Sequence, residues 1–143
     1  MKIILLSIMM ATGAYSFSQE IRVTVSAQNK SITTVVDEDN TGKVLNLQTS
    51  TEPSEAYLIA KLNHDELNKG WTRNFIIYDN EDNEISRLAQ MKDNTYSVAL
   101  KNLKPLLKPG QEYSLYTIVL PEDPQKAMEV KVARQLICKI QVD

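Results

Sequence analysis

The sequence predicts an all-β fold, an antiparallel β-sandwich of about seven to nine strands. Two observations lead there. Segments alternating apolar and polar residues recur along most of the chain, at roughly the 8–12-residue spacing of a sandwich or barrel. Short polar stretches rich in Asp, Asn, Gly and Pro separate them, as turns require.

IRVTVSA (21–27) places Ile21, Val23 and Val25 on one face. SITTVV (31–36) follows a polar turn, and VLNL (44–47) follows DEDNTGKV. QTSTEPSE (48–55) reads as a polar linker. AYLIAKL (56–62) and NFIIY (74–78) are apolar on both faces and predict central strands covered on both sides. HDELNKGW (64–71) suits a helical turn closed by Gly70. DNEDNE (79–84) is a hairpin tip, and EISRLAQ returns as one edge strand. TYSVAL (95–100) puts Tyr96, Val98 and Leu100 inward, and YSLYTIVL (113–120) is stopped by PEDP. EVKVARQLICKIQV (129–142) would put Val130, Val132, Leu136, Cys138, Ile140 and Val142 on one face. As one strand it would run roughly 46 Å, so a bulge or bend near Ala133–Arg134 is expected, turning Arg134 from the core.

LKPGQEYSLY (107–116) resembles the L-x-P-G-x-x-Y stretch of fibronectin type III domains through Leu107, Pro109, Gly110 and Tyr113. The resemblance implies a fibronectin type III or immunoglobulin-like sandwich with a tyrosine corner, in which the Tyr113 hydroxyl bonds back to the crossing loop. The tryptophan such domains carry early is replaced here by Tyr57, and the N-terminal hairpin is additional. Fold likeness assigns no function.

The first residues have Lys2, an apolar run from Ile3 to about Ala11, and then Ala14, Ser16 and Ser18. They resemble a bacterial Sec-type signal peptide, with cleavage expected after Ser18. The implied mature chain is one domain, 19–143, extracytoplasmic (secreted or periplasmic), with no integral membrane segment. Net charge is −2, so no global field draws the protein to nucleic acid. The charges are uneven. Positions 37–84 carry 11 acids and 4 bases, whereas positions 101–143 carry 7 bases and 5 acids. Cys138 is the only cysteine, which excludes an internal disulfide and fits a buried thiol.

Little in the chain points to catalysis, and a non-enzyme is expected. His64 is the only histidine and stands beside Asp65 and Glu66, where a solvated side chain is the expectation. Zinc held by His64 and Cys138 would lack two further ligands. DEDNTGKV aligns Asp37, Asp39 and Thr41 with the first three ligand positions of a calcium loop, and Gly42 with its glycine. Position 12 would be Gln48, so the site lacks its bidentate acid unless Glu52 or Glu55 folds back. A plain hairpin turn is expected, with no cofactor. Calcium, or a carbohydrate bound through this acidic loop, is the alternative. The leading expectation is an exported, non-catalytic binding or structural module for a protein or cell-envelope partner. Trp71, Arg73 and Tyr78 are its expected exposed anchors, because aromatics and arginine dominate interface hot spots. Core positions for Trp71 and Tyr78 are the competing reading.

Overall fold

The computed structural model describes residues 20–48 and 56–143. The signal-like segment 1–18, Gln19, most of the 48–55 linker, and Glu52 and Glu55 lie outside the described residues. Ten strands form in order: β1 (Arg22–Ala27), β2 (Lys30–Val35), β3 (Val44–Leu47), β4 (Tyr57–Leu62), β5 (Trp71–Tyr78), β6 (Glu84–Arg87), β7 (Ala89–Gln90), β8 (Thr95–Ala99), β9 (Glu112–Pro121) and β10 (Gln135–Val142). One five-stranded sheet has the order β2-β1-β4-β8-β7, and the other β3-β10-β9-β5-β6. All pairings are antiparallel except β3 with β10.

Alternation buries the core. Val23, Val25, Leu58, Ala60 and Leu62 from one sheet meet Leu45, Phe75, Ile77, Leu115, Cys138 and Ile140 from the other. Phe75 and Tyr96 bridge the two sheets, with ring centroids 4.7 Å apart. Burial of this continuous apolar cluster is the main source of cohesion in a chain without disulfides.

The expected corner forms. Leu107 is buried, Gly110 takes a φ of +82° that favours glycine, and the Lys108 N–H donates to the Tyr113 hydroxyl at 2.8 Å. The preceding crossover winds into a short helix α1 (Leu100–Leu103) and one 3-10 turn (Lys104–Leu106), dropping Leu100 and Leu103 into the core.

Several expectations are corrected. β4 is central, but its outer face is not covered: Tyr57 is exposed. NFIIY comes closer to the expectation, since Ile76 is buried although it faces away from Phe75 and Ile77. HDELNKGW forms no helical turn. Gly70 does close the loop at φ +86°, and the Trp71 N–H donates to the Asn68 carbonyl at 3.1 Å. EISRLAQ is two strands in different sheets, because buried Leu88 turns the chain from β6 to β7.

The long C-terminal strand is also divided. Asp123 caps a helix α2 (Pro124–Glu129), accepting the Gln125 N–H at 3.0 Å, with Pro124 in the first turn. Only 135–142 is extended, and its bulge lies between Leu136 and Cys138. Leu136 therefore stands opposite Tyr116 while Cys138 stands opposite Leu115, and both Ile137 and Cys138 are fully buried.

Candidate functional site

Trp71 begins β5 and pairs with Pro121, the last residue of β9. It therefore sits where the loop 63–70 meets the connection 122–134. The Glu122 N–H donates to the Gly70 carbonyl at 2.7 Å, and the Thr72 hydroxyl donates to the Glu122 carboxylate at 3.1 Å. These bonds tie the two loops together at one end of the sandwich. Trp71 is half-buried and forms the wall between two grooves. One, of about 350 Å³, is lined by Lys69, Pro121, Lys126 and Val130. The other, of about 420 Å³, is lined by Ile21, Val36, Val119 and Val132, with Arg73 and Thr117 also in its lining. α2 buries none of its residues and leaves Met128 88% exposed beside this end.

Arg73 is not the exposed anchor its neighbours suggest. It shares the inward parity of Phe75 and Ile77, and only 5% of its side chain is exposed. Asp65, folded in from the 63–70 loop, receives Nε–H at 2.9 Å and Nη2–H at 3.1 Å. The remaining arm donates to the Thr117 hydroxyl at 2.9 Å, which in turn donates to the Asn74 carbonyl at 3.0 Å. The planar guanidinium fork matches the carboxylate, which is why arginine rather than lysine suits this position. Burial, with the Asp65 carboxylate adding to it, pushes the nearby Tyr96 hydroxyl above its ordinary pKa. The missed signal was strand parity: counting back from Phe75 places Arg73 inside.

Tyr78 lies at the opposite end of β5 and on its outer face, seven residues and about 23 Å from Trp71. Its ring packs edge-on to Tyr116 at 5.5 Å. Arg134 lies over both rings, at 4.7 Å from Tyr78 and 4.1 Å from Tyr116, and pairs with Asp82 at 2.6 Å. Arg134 does turn from the core, as expected, but into this cation–π stack. Trp71, Arg73 and Tyr78 therefore do not form one patch, and the stack gives Tyr78 a local structural role.

In the 37–44 loop, the side chains of Asp37, Asp39, Asn40 and Thr41 each have a hydrogen-bond partner. Asp39 accepts the Thr41 hydroxyl at 2.7 Å and the Thr41 N–H at 3.1 Å, and these two bonds hold its carboxyl below the usual range. Asp37 faces the Gln135 side chain, which also accepts the Asp37 N–H at 3.0 Å. Buried Asn40 donates to the Val35 and Leu136 carbonyls at 3.1 and 3.0 Å, fastening the loop across both sheets. The 79–84 tip is built alike: Asp79 accepts the N–H groups of Asn83 and Glu81 at 2.8 and 2.9 Å. Among the described residues no group of three His, Cys, Asp or Glu side chains is placed to hold a metal ion. His64 approaches the Glu20 carbonyl through Nε2 at 3.2 Å, while its buried Nδ1 has no partner among the described residues. Burial pushes the Cys138 thiol up to about 12, which keeps it protonated and unreactive.

No protein-family model, curated protein or solved structure matches this chain.

Proposed function

We propose that this chain is an exported, non-catalytic β-sandwich of the fibronectin type III or immunoglobulin-like kind, which engages a protein or cell-envelope partner through the Trp71 end. The fold type is supported by the corner at Leu107–Tyr113 and by the strand order. β1-β4-β8-β7 facing β10-β9-β5 follows the ABED and GFC arrangement of such domains, with β6 added beyond β5 and with β2 and β3 added at the other side. Export to an extracytoplasmic location is supported by the signal-like segment 1–18.

One observation carries the binding reading: a half-buried tryptophan between two open grooves, with exposed Met128 on the capped helix α2 at the same end. Loops held at the end of a rigid sandwich are where such folds place their contacts, and tryptophan in a partly formed pocket is a recurrent hot spot. A pull-down from the native envelope fraction tests it, with wild-type and Trp71→Ala baits. A partner retained by the first and lost by the second is expected. Identical captures would remove the Trp71 end from the reading. The calcium alternative requires Asp39 to release Thr41, and a thermal midpoint unchanged between millimolar calcium and chelator would dispose of it.

A further inference from the structure

The outer face of the sheet that holds β1, β2 and β4 is as regular as its inner one. Register places Ser31, Ser26 and Ile59 in one row across these strands, and Thr33, Thr24 and Lys61 in the next. Tyr57 stands two residues before Ile59, so it shares this face and comes level with the β1–β2 turn at Gln28. It is 49% exposed, whereas every other aromatic side chain among the described residues is buried or half-buried. A groove of about 690 Å³ opens here, within the size range of small-ligand sites. Tyr57 and Ile59 line it with apolar surface, and Ser26, Ser31, Asn29 and Lys30 line it with polar groups.

Those polar groups are available. Thr24 and Thr33, directly opposite each other, bond hydroxyl to hydroxyl at 3.1 Å. Ser26 and Ser31 are opposed in the same way, yet their hydroxyls, like the Asn29 amide, have no partner among the described residues. The turn itself is fixed. Gln28 and Asn29 hold φ of +53° and +66°, and the Gln28 amide donates to the Gln48 carbonyl at 2.8 Å and accepts the Gln48 N–H at 2.9 Å. Lys30 Nζ donates to the Asn46 carbonyl at 3.2 Å, which lays the hairpin's side chains over β3. A carbonyl takes one of the three ammonium N–H groups and none of its charge.

The described lining contains no carboxylate, although the chain carries 18 Asp and Glu and both grooves beside Trp71 contain at least one. A divalent cation is therefore excluded. A foreign strand has no edge to join, because β1 and β4 are paired on both sides. A nucleic acid would need several bases rather than one. A sugar ring fits: it lays a C–H face on an aromatic ring and needs hydrogen-bond partners around its rim. The lone ammonium selects a ring that carries an acid.

We propose that this groove binds an acidic glycan, a sugar chain containing uronate. One ring stacks on Tyr57, its hydroxyls bond Ser26, Ser31 and Asn29, and its carboxylate meets Lys30.

The inference goes beyond the partner reading and stands without it. Affinity electrophoresis of the purified chain tests it, in gels containing alginate as the polyuronate, dextran as a neutral glycan, or polyacrylate as carboxylate without sugar. Alginate should retard the chain, and dextran and polyacrylate should not. Tyr57→Ala should abolish the retardation and Tyr57→Phe should keep it. Lys30→Gln should weaken it by roughly tenfold, the loss of one charge-assisted hydrogen bond. Trp71→Ala should leave it unchanged. No retardation by alginate would overturn the proposal, as would equal retardation by dextran or polyacrylate. So would retardation that Tyr57→Ala leaves intact or that Trp71→Ala removes.

Discussion

Asp65→Asn is the most informative perturbation of the loop end. The substitution keeps the shape and one acceptor oxygen but removes the charge facing Arg73. The two side chains are 5% and 6% exposed, so neither bulk water nor salt can replace the lost partner. Breaking a buried pair from one side leaves an uncompensated charge and costs roughly 3–5 kcal/mol. The retained amide oxygen should keep Asn at the lower end, about 3 kcal/mol. Replacing both partners by apolar residues, Asp65→Leu with Arg73→Met, should bring stability back to within about 1 kcal/mol of wild type. The Thr117 hydroxyl keeps its bond to the Asn74 carbonyl in that variant. Urea unfolding followed by the fluorescence of Trp71, the single tryptophan, reads both effects from two residues away. A loss below about 0.5 kcal/mol for Asp65→Asn, or a double variant weaker than the single one, would refute the buried-pair account.

Tyr113→Phe should cost roughly 0.5–1.5 kcal/mol by freeing the Lys108 N–H, whereas Tyr116→Phe keeps the ring under Arg134 and should cost less than about 0.5; equal losses in denaturation would count against the corner. Thr34→Val should raise stability by about 1 kcal/mol, since the Thr34 hydroxyl is buried and unpartnered among the described residues; a lower urea midpoint would contradict this. Cys138 should resist thiol reagents in the native state. Its folded pKa of about 12 exceeds the ordinary 9.0, so the folded state holds the proton more tightly. Stability is then full below pH 9 and declines toward pH 12, by up to about 1.4 kcal/mol per unit relative to Cys138→Ala. Parallel pH curves for the two proteins would refute the assignment.

The strands that alternate cleanly were legible: β1, β3 and β8 fall where period two puts them, and Leu107–Tyr113 announced its corner by residue type alone. The divided C-terminal segment was not. EVKV alternates as well as any strand, but the helix that Asp123 and Pro124 start takes in Glu129, and 130–134 pair with no strand. EISRLAQ hid its change of sheet for a related reason, because a strand's period does not say which neighbour it joins. At the site, residue type alone singled out Trp71, and the structure leaves it half-buried between two grooves. Arg73 was misplaced because its partner Asp65 lies in a loop whose inward fold carries no periodic signal. The side-chain cover over β3 was equally invisible, since Gln28 meets Gln48 only once both sheets exist.

The central claim is that the Trp71 end meets a partner in the envelope. Photocrosslinking in living cells measures this most directly, with a photoreactive residue in place of exposed Met128 and a control in place of exposed Tyr57, at the start of β4 and so at the far end of the sandwich. Position 128 should give a discrete heavier adduct, abolished by Trp71→Ala, and position 57 should not give that adduct. The same adduct from both positions, or none from 128, would contradict the account.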